Sequence, residues 1–308
     1  MTPGTWLDRV LENDTLNFLV TNRIPRRLAT RVMGRLSRIE HPLLVRIALA
    51  AWQRLGGSLR LHEARKTRFR SIHDCFVREL ADGTRPIDPR SDVLVSPCDA
   101  IVGACGRIAD AQLIQAKGRT YTLSDLLVDQ TLAAHHRDGV YVTLRLTSTM
   151  YHRFHAPADC LIDEVIYVAG DVWNVNPAAV RRVPRLYCVN ERAVLPLRLL
   201  DGRRLTLVPV AAVLVASIHL HFLDVLLNLR YRGPNRIACR ATFRKGEELG
   251  YFHHGSTIIV LGTGDLRLAD GVTEGSVIRM GTPLLQSVGP IAEAGRTTTL
   301  CCGHVMNT

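Results

Sequence analysis

From Asp92 onward the chain breaks into short runs rich in β-branched residues, punctuated by Gly, Pro and Asp, and that texture restricts it to a sheet-rich core. The runs span 92–95, 141–146, 161–168, 193–199, 205–215 and 258–261. Strands this short, with turns this frequent, suit antiparallel pairing better than long crossovers. Thr122-Leu123-Ser124-Asp125 reads as a helix start, so a turn or two of helix is expected over 124–128. The expected class is α+β: a β-rich core of short, mostly antiparallel strands preceded by N-terminal amphipathic helices.

The helices are expected because charge is distributed unevenly. Nine of the eleven net positive charges fall in residues 1–70, where Lys66 and thirteen arginines oppose only Asp8, Glu12, Asp14, Glu40 and Glu63. The rest of the chain is nearly neutral and lacks the broad basic face of a nucleic-acid binder, which leaves an anionic membrane surface as the leader's partner. Ile24, Leu28, Val32 and Leu36 recur at four-residue spacing beside a stripe of Arg23, Arg27, Arg31 and Arg35, giving a basic amphipathic helix over 22–39. Its apolar side either enters a lipid interface or packs on the core beneath a solvated arginine face. A second apolar run, 43–52, is too short to span a bilayer and contains Arg46, so it is expected to dip into the interface. Asp8, Glu12 and Asp14, without an apolar run, argue against a signal peptide. The division is a docking leader, 1–70, and a β-rich core, 71–308.

The longest apolar stretch, 205–227, approaches membrane-span length but is interrupted by Pro209, His219, His221 and Asp224, so core strands are expected there. Eight cysteines without a C-x-x-C pair argue against a disulfide framework or zinc ribbon and suit a reducing compartment.

Three segments offer chemistry. Gly255-Ser256 precedes the apolar run Ile258-Ile259-Val260-Leu261, placing a hydroxyl beside a carbonyl with no Cβ on one flank. Tyr151-His152-Arg153-Phe154-His155-Ala156-Pro157 supplies two imidazoles, and Ser96-Pro97-Cys98-Asp99 supplies a carboxylate in a turn. Read singly, each is also compatible with a plain loop, an Asx turn or a histidine bonded to backbone.

In order, these segments run with Phe76-Val77-Arg78-Glu79-Leu80, Arg85-Pro86-Ile87-Asp88, Gln115-Ala116-Lys117-Gly118, Gly170-Asp171 with Val175-Asn176, Asn190-Glu191-Arg192 and the stretch Lys245 to Gly250. So arranged, from about residue 70 to 262, the chain resembles the phosphatidylserine decarboxylases of the prokaryotic, membrane-associated kind. The resemblance implies self-cleavage between Gly255 and Ser256, with Ser256 becoming a covalent pyruvoyl group at the head of the smaller chain. It implies Asp99, His155 and Ser256 as the self-processing set, with His155 as base, and His152 as proton donor when phosphatidylserine loses carbon dioxide to give phosphatidylethanolamine. It further implies processed large and small chains that stay together and pair into a dimer, at the cytoplasmic face of the cell membrane. Arg153 either binds a substrate anion or braces its loop.

Two departures from the family pattern stand out: His254, after His253, occupies the place of an aliphatic residue before Gly-Ser, and Ala100 replaces the glycine after the turn aspartate. An active enzyme is still expected, since no reacting group is lost. Three other readings compete: a zinc enzyme built on His219 and His221, a non-catalytic membrane-binding module resting on residues 1–70, and a pyridoxal phosphate enzyme using Lys66, Lys117 or Lys245.

Overall fold

The computed structural model describes residues 25–116, 119–213, 217–253 and 256–288, with Thr15, Phe18, Leu19 and Asn22. Gly255, His254, Lys117 and the first fourteen residues lie outside them.

From residue 25 onward the chain forms helices α1 (Arg26–Leu36) and α2 (Pro42–Gly56), and a short α3 (Ile72–Phe76) leads into the sheets. Strands β1 (Val93–Val95) and β2 (Ala100–Arg107) are followed by the hairpin β3 (Gln112–Ala116) and β4 (Arg119–Thr122). Helix α4 (Leu123–Leu127) begins where its sequence suggests, because the Thr122 hydroxyl accepts from the Asp125 N–H at 3.0 Å. After α5 (Gln130–His135) come β5 (Val140–Leu146), β6 (Arg153–His155) and β7 (Cys160–Val168). Helices α6 (Pro177–Arg182) and α7 (Leu186–Val189) precede β8 (Arg192–Leu199) and β9 (Arg204–Ala211). The chain continues through β10 (Ser217–Leu220), β11 (Val225–Asn228), β12 (Arg236–Phe243), β13 (Glu248–Phe252) and β14 (Ser256–Gly262). Up to residue 288 it then forms β15 (Leu266–Leu268), β16 (Val277–Ile278) and β17 (Pro283–Ser287).

The main sheet has eight strands in the order β12-β7-β8-β9-β14-β5-β2-β16, and every ladder in it is antiparallel. Strand β14 sits inside it, paired with β5 on one side and β9 on the other. That position explains its unbroken apolar run: Ile258 and Val260 enter one core, Ile259 and Leu261 the other, so alternation has no wet face to serve. One core lies under a four-stranded sheet, β11-β10-β13-β6, and a three-stranded sheet, β1-β17-β15. The other is covered by the β3-β4 hairpin and helices α4 to α7. The 205–227 stretch resolves into β9, β10 and β11, and among the described residues no helix is long and apolar enough to cross a membrane.

The leader helix packs with its polar side against the protein. Thr30 and Ser37 are buried, whereas Leu28, Val32 and Leu36 are exposed, so the apolar stripe of α1 faces away from the protein. In α2, Leu43, Leu44 and Ile47 are likewise exposed and only Val45 is buried. The second helix is held from beneath by Trp52, stacked on Phe76 of α3 at 5.9 Å.

Candidate active site

The 96–99 turn joins β1 to β2 and is closed by the Ser96 hydroxyl donating to the Cys98 carbonyl at 2.8 Å. Its Pro97 carbonyl accepts from the His155 N–H at 2.9 Å, which mounts the Asp99 carboxylate and the His155 imidazole on hydrogen-bonded backbone. The carboxylate is buried and chelated: Arg85 Nε donates to Oδ1 at 2.9 Å, Arg85 Nη2 to Oδ2 at 2.6 Å, and the Met280 N–H to Oδ1 at 2.9 Å. Arg85 Nη2 also reaches Glu63 Oε2 at 2.7 Å. Burial alone would lower the Arg85 pKa, but Asp99 and Glu63 together push it above its ordinary value. Ala100 is fully buried as the first residue of β2, and its φ is not positive, so the place of a family glycine is filled without backbone strain.

The two histidines occupy separate surroundings. His155 is buried, with Nε2 3.4 Å from the Tyr151 hydroxyl and Nδ1 lacking a hydrogen-bond partner among the described residues. Burial pushes its pKa down to about 4, opposed by Glu248, by the Pro97 backbone and more weakly by Asp99, so the ring is a neutral base. No hydrogen bond joins His155 to Asp99 among the described residues, the carboxylate being taken up by Arg85 and Met280. With Tyr151, Arg85, Glu248 and Met280, His155 lines a cavity of about 350 Å³. His152 is fully buried against Phe76, ring centroids 4.0 Å apart, and its Nδ1 lies 2.8 Å from the Met150 carbonyl. That carbonyl can only accept, so Nδ1 carries a proton.

Between the histidines, Arg153 donates from Nε and Nη2 to the Val77 carbonyl at 3.0 and 2.7 Å and from Nη1 to Glu248 at 2.7 Å. Of its two readings, bracing the loop is the one its contacts fulfil.

Ser256 opens β14, with its Cα in register with Leu146 of β5 and Ala211 of β9. On the other side of Gly255, the Phe252 N–H donates to the His152 carbonyl at 3.0 Å. The chain entering the Gly-Ser link is thus tied to the histidine segment, and the chain leaving it is tied to the middle of the main sheet.

A family model described as phosphatidylserine decarboxylase matches residues 72–286. A phosphatidylserine decarboxylase proenzyme of Aliivibrio fischeri (strain MJ11) is 33% identical over 292 residues, covering 90% of this chain and 99% of the relative. One of Vibrio cholerae serotype O1 is 36% identical over 271 residues, 84% and 94% of the two chains. One of Anaeromyxobacter sp. (strain K) is 36% identical over 279 residues, 88% and 98%. The chain belongs to the phosphatidylserine decarboxylase family.

Several of the motifs that carry the resemblance to the phosphatidylserine decarboxylases are structural anchors. Arg78 donates to the carbonyls of Leu59 and Thr149 at 3.0 Å, fixing the loop before His152. Gln115 ties β3 to α6 and α7 through the Val180 carbonyl at 2.8 Å and the Leu186 N–H at 2.6 Å. Asn190 donates to the Ala211 carbonyl at 2.9 Å, bracing the residue in register with Ser256. Gly250 is required by close approach, since a Cβ there would lie 2.0 Å from the His219 carbonyl oxygen. The sequence motifs include Arg85 and Tyr151 without giving either a task; a buried cation fourteen residues from a buried anion carries no periodicity to find it by.

The zinc alternative fares differently. His221 Nε2 lies 2.6 Å from Glu248 and His219 Nε2 3.7 Å from Asp224, each ring turned to its own carboxylate. Among the described residues no three His, Cys, Asp or Glu side chains converge to hold a metal ion.

Proposed function

We propose that this chain is a self-processing, pyruvoyl-dependent decarboxylase that converts phosphatidylserine to phosphatidylethanolamine and carbon dioxide. The observation that carries this reading is His155: a buried, neutral imidazole on the segment that ties down the chain just ahead of the Gly255-Ser256 bond. A serine hydroxyl is a weak nucleophile until a base takes its proton. In the proposed self-cleavage His155 accepts that proton, Ser256 Oγ attacks the Gly255 carbonyl carbon, and the C–N bond breaks to leave an ester. Loss of the Ser256 α-proton expels the Gly255 carboxylate, and water then replaces the nitrogen of residue 256, which leaves as ammonia. Asp99, held by Arg85, supplies the negative charge that favours the imidazolium.

The site fits a keto group at residue 256. β14 is pinned from its first residue by ladders on both sides, so the new terminus stays at the sheet, and the small chain stays bound to the large one through β5 and β9. The pyruvoyl group, when present, supplies the electron sink for the carbanion that decarboxylation leaves. His152 returns a proton to the substrate α-carbon; its Nδ1, committed to the Met150 carbonyl, fixes the ring while Nε2 serves as the working atom.

The leader, residues 1–70, is the membrane-docking part. The outward apolar faces of α1 and α2 suit insertion between lipid headgroups, with arginines at the level of lipid phosphates. The enzyme is placed peripherally on the cytoplasmic face of the cell membrane. Processed chains pair again as a dimer, and no nucleic acid is involved.

The test is mass spectrometry of the freshly expressed chain with vesicles of phosphatidylserine as substrate. Wild type is expected as two fragments, 1–255 and a ketone-headed 256–308, and releases carbon dioxide from the lipid; Ser256→Ala is expected as one inert chain. His152→Ala is expected to cleave and yet not decarboxylate. Two fragments from Ser256→Ala would sink the assignment.

A further inference from the structure

A second cavity, of about 300 Å³, lies between α1 and the ends of β11 and β13. Its lining includes Arg31, Arg35 and Arg38 from the leader and Arg230 from the loop after β11, together with His73 and His253, and no carboxylate. None of these four arginines has an acidic partner among the described residues. On the same helix Arg26 is paired with Asp171 at 2.6 Å, outside the cavity. A guanidinium set without carboxylates is the donor arrangement that recognises phosphate oxygens.

The cavity is also in a telling place. His253 forms one wall, its ring stacked on His73 at 4.8 Å and its Nδ1 3.5 Å from Arg38 Nη2, and it stands two residues before Gly255 in the chain. Burial and then the Arg38 charge push the His73 pKa below its ordinary value, as a positively charged enclosure does. The other boundary is α1, whose opposite side carries exposed Leu28, Val32 and Leu36. The volume is at the small end of ligand pockets, the size of a headgroup rather than of acyl chains.

The geometry points to this cavity as the seat of the phosphodiester of a glycerophospholipid headgroup, held by Arg31, Arg35, Arg38 and Arg230 while acyl chains stay with the outward face of α1. The inference rests on the decarboxylase reading for its substrate but not for its test. With the phosphate fixed here, the headgroup lies against His253 on the segment that leads to Ser256, so the leader helix is part of the substrate site as well as an anchor. His253 then has a use as a wall of this cavity.

Binding is measured by equilibrium titration of the full chain with glycerophosphocholine, a soluble phosphodiester with no primary amine and no carboxylate, which the decarboxylase chemistry cannot consume. Wild type is expected to bind it, and Arg35→Gln/Arg38→Gln to bind at least about tenfold more weakly, the loss expected for charge-assisted hydrogen bonds. Arg244→Gln/Arg267→Gln, which removes the same charge elsewhere on the surface, is expected to bind as wild type does. Both are assayed on short-chain, vesicle-free phosphatidylserine, where KM of Arg35→Gln/Arg38→Gln is expected to rise about tenfold with kcat within about twofold and that of Arg244→Gln/Arg267→Gln to stay at the wild-type value. Equal binding by wild type and Arg35→Gln/Arg38→Gln overturns the proposal, as does a cavity that takes inorganic phosphate but not the diester. A chain that binds the diester in this pattern yet stays uncleaved supports the cavity and defeats the decarboxylase reading instead.

Discussion

Arg85 closes on Asp99 with two donors, Nε to Oδ1 at 2.9 Å and Nη2 to Oδ2 at 2.6 Å, in a buried pair that also draws in Glu63. The turn that carries Asp99 is the one whose Pro97 carbonyl holds the backbone of His155, so the ion pair fixes the site's frame as well as its charge. Breaking a buried pair from one side strands the other charge at a cost of about 3 kcal/mol or more. Arg85→Gln in a Ser256→Ala background is expected to lose that much stability in denaturant unfolding, and Arg85→Gln alone to slow chain cleavage at least about tenfold. Asp99→Asn is expected to slow cleavage with a smaller stability loss, since Glu63 still faces Arg85; equal cleavage rates in all three proteins would remove Asp99 from the processing machinery.

With His155 as the proposed base, the pH dependence of cleavage follows from its burial. Burial holds its pKa down to about 4 from an ordinary 6.5. Because the folded value is the lower one, the imidazole contributes its stability in full above pH 6.5 and loses it as pH falls through that value toward 4, about 3 kcal/mol in all. The same neutrality keeps it a base. Cleavage followed on gels is expected to be level from about pH 8 to 6 and to decline only toward its folded pKa. A rate that halves near 6.5 would instead point to an exposed histidine as the base.

What the sequence revealed and what it hid divide along physical lines. Local signals survived folding: the Thr122 cap, the short antiparallel strands, and the run 258–261, whose continuity meant burial on both faces. Strand β12 is hard to read because, at the sheet edge, its core-facing alternation of Ile237, Cys239, Ala241 and Phe243 runs through small residues and leaves only partial burial. The sequence showed α1 to be amphipathic, but either facing satisfies the period, and only packing of Thr30 and Ser37 against the protein turns the leucines outward. The three chemical segments were visible as motifs, whereas the partner of Asp99 was not, since ion pairing across the chain leaves no spacing to read.

Glu191 sets the opposite pH trend. It is fully buried, Oε1 accepts from the Tyr167 hydroxyl at 2.6 Å, Oε2 has no hydrogen-bond partner among the described residues, and burial pushes its pKa from an ordinary 4.5 up to about 7. A raised carboxyl favours the fold when protonated, so its contribution is complete below pH 4.5 and is lost as pH rises to 7, on the order of 3 kcal/mol. Glu191→Gln keeps the shape and the acceptor for Tyr167 without the charge. Urea unfolding of this variant is expected to show higher stability than wild type at pH 8 and near-equal stability at pH 4.5; a constant difference across that range would mean that Glu191 does not titrate in the fold.

The outward leucines give the last expectation. Leu43, Leu44 and Ile47 of α2 are each more than half exposed, and Leu28 and Leu36 of α1 join them. In water such a face is a standing cost, and in a lipid interface each large side chain that leaves water gains about 1.5–3 kcal/mol. Leu43→Glu/Ile47→Glu touches no buried contact and adds charge where acyl chains would lie. Vesicle flotation is expected to fall by at least about tenfold in membrane-bound fraction relative to free, while chain cleavage stays at the wild-type rate. Turnover of lipid in vesicles is expected to fall with binding, and turnover of dispersed short-chain substrate to persist. If flotation is unchanged, the apolar face meets another protein surface, and the leader's arginines alone hold the enzyme to the membrane.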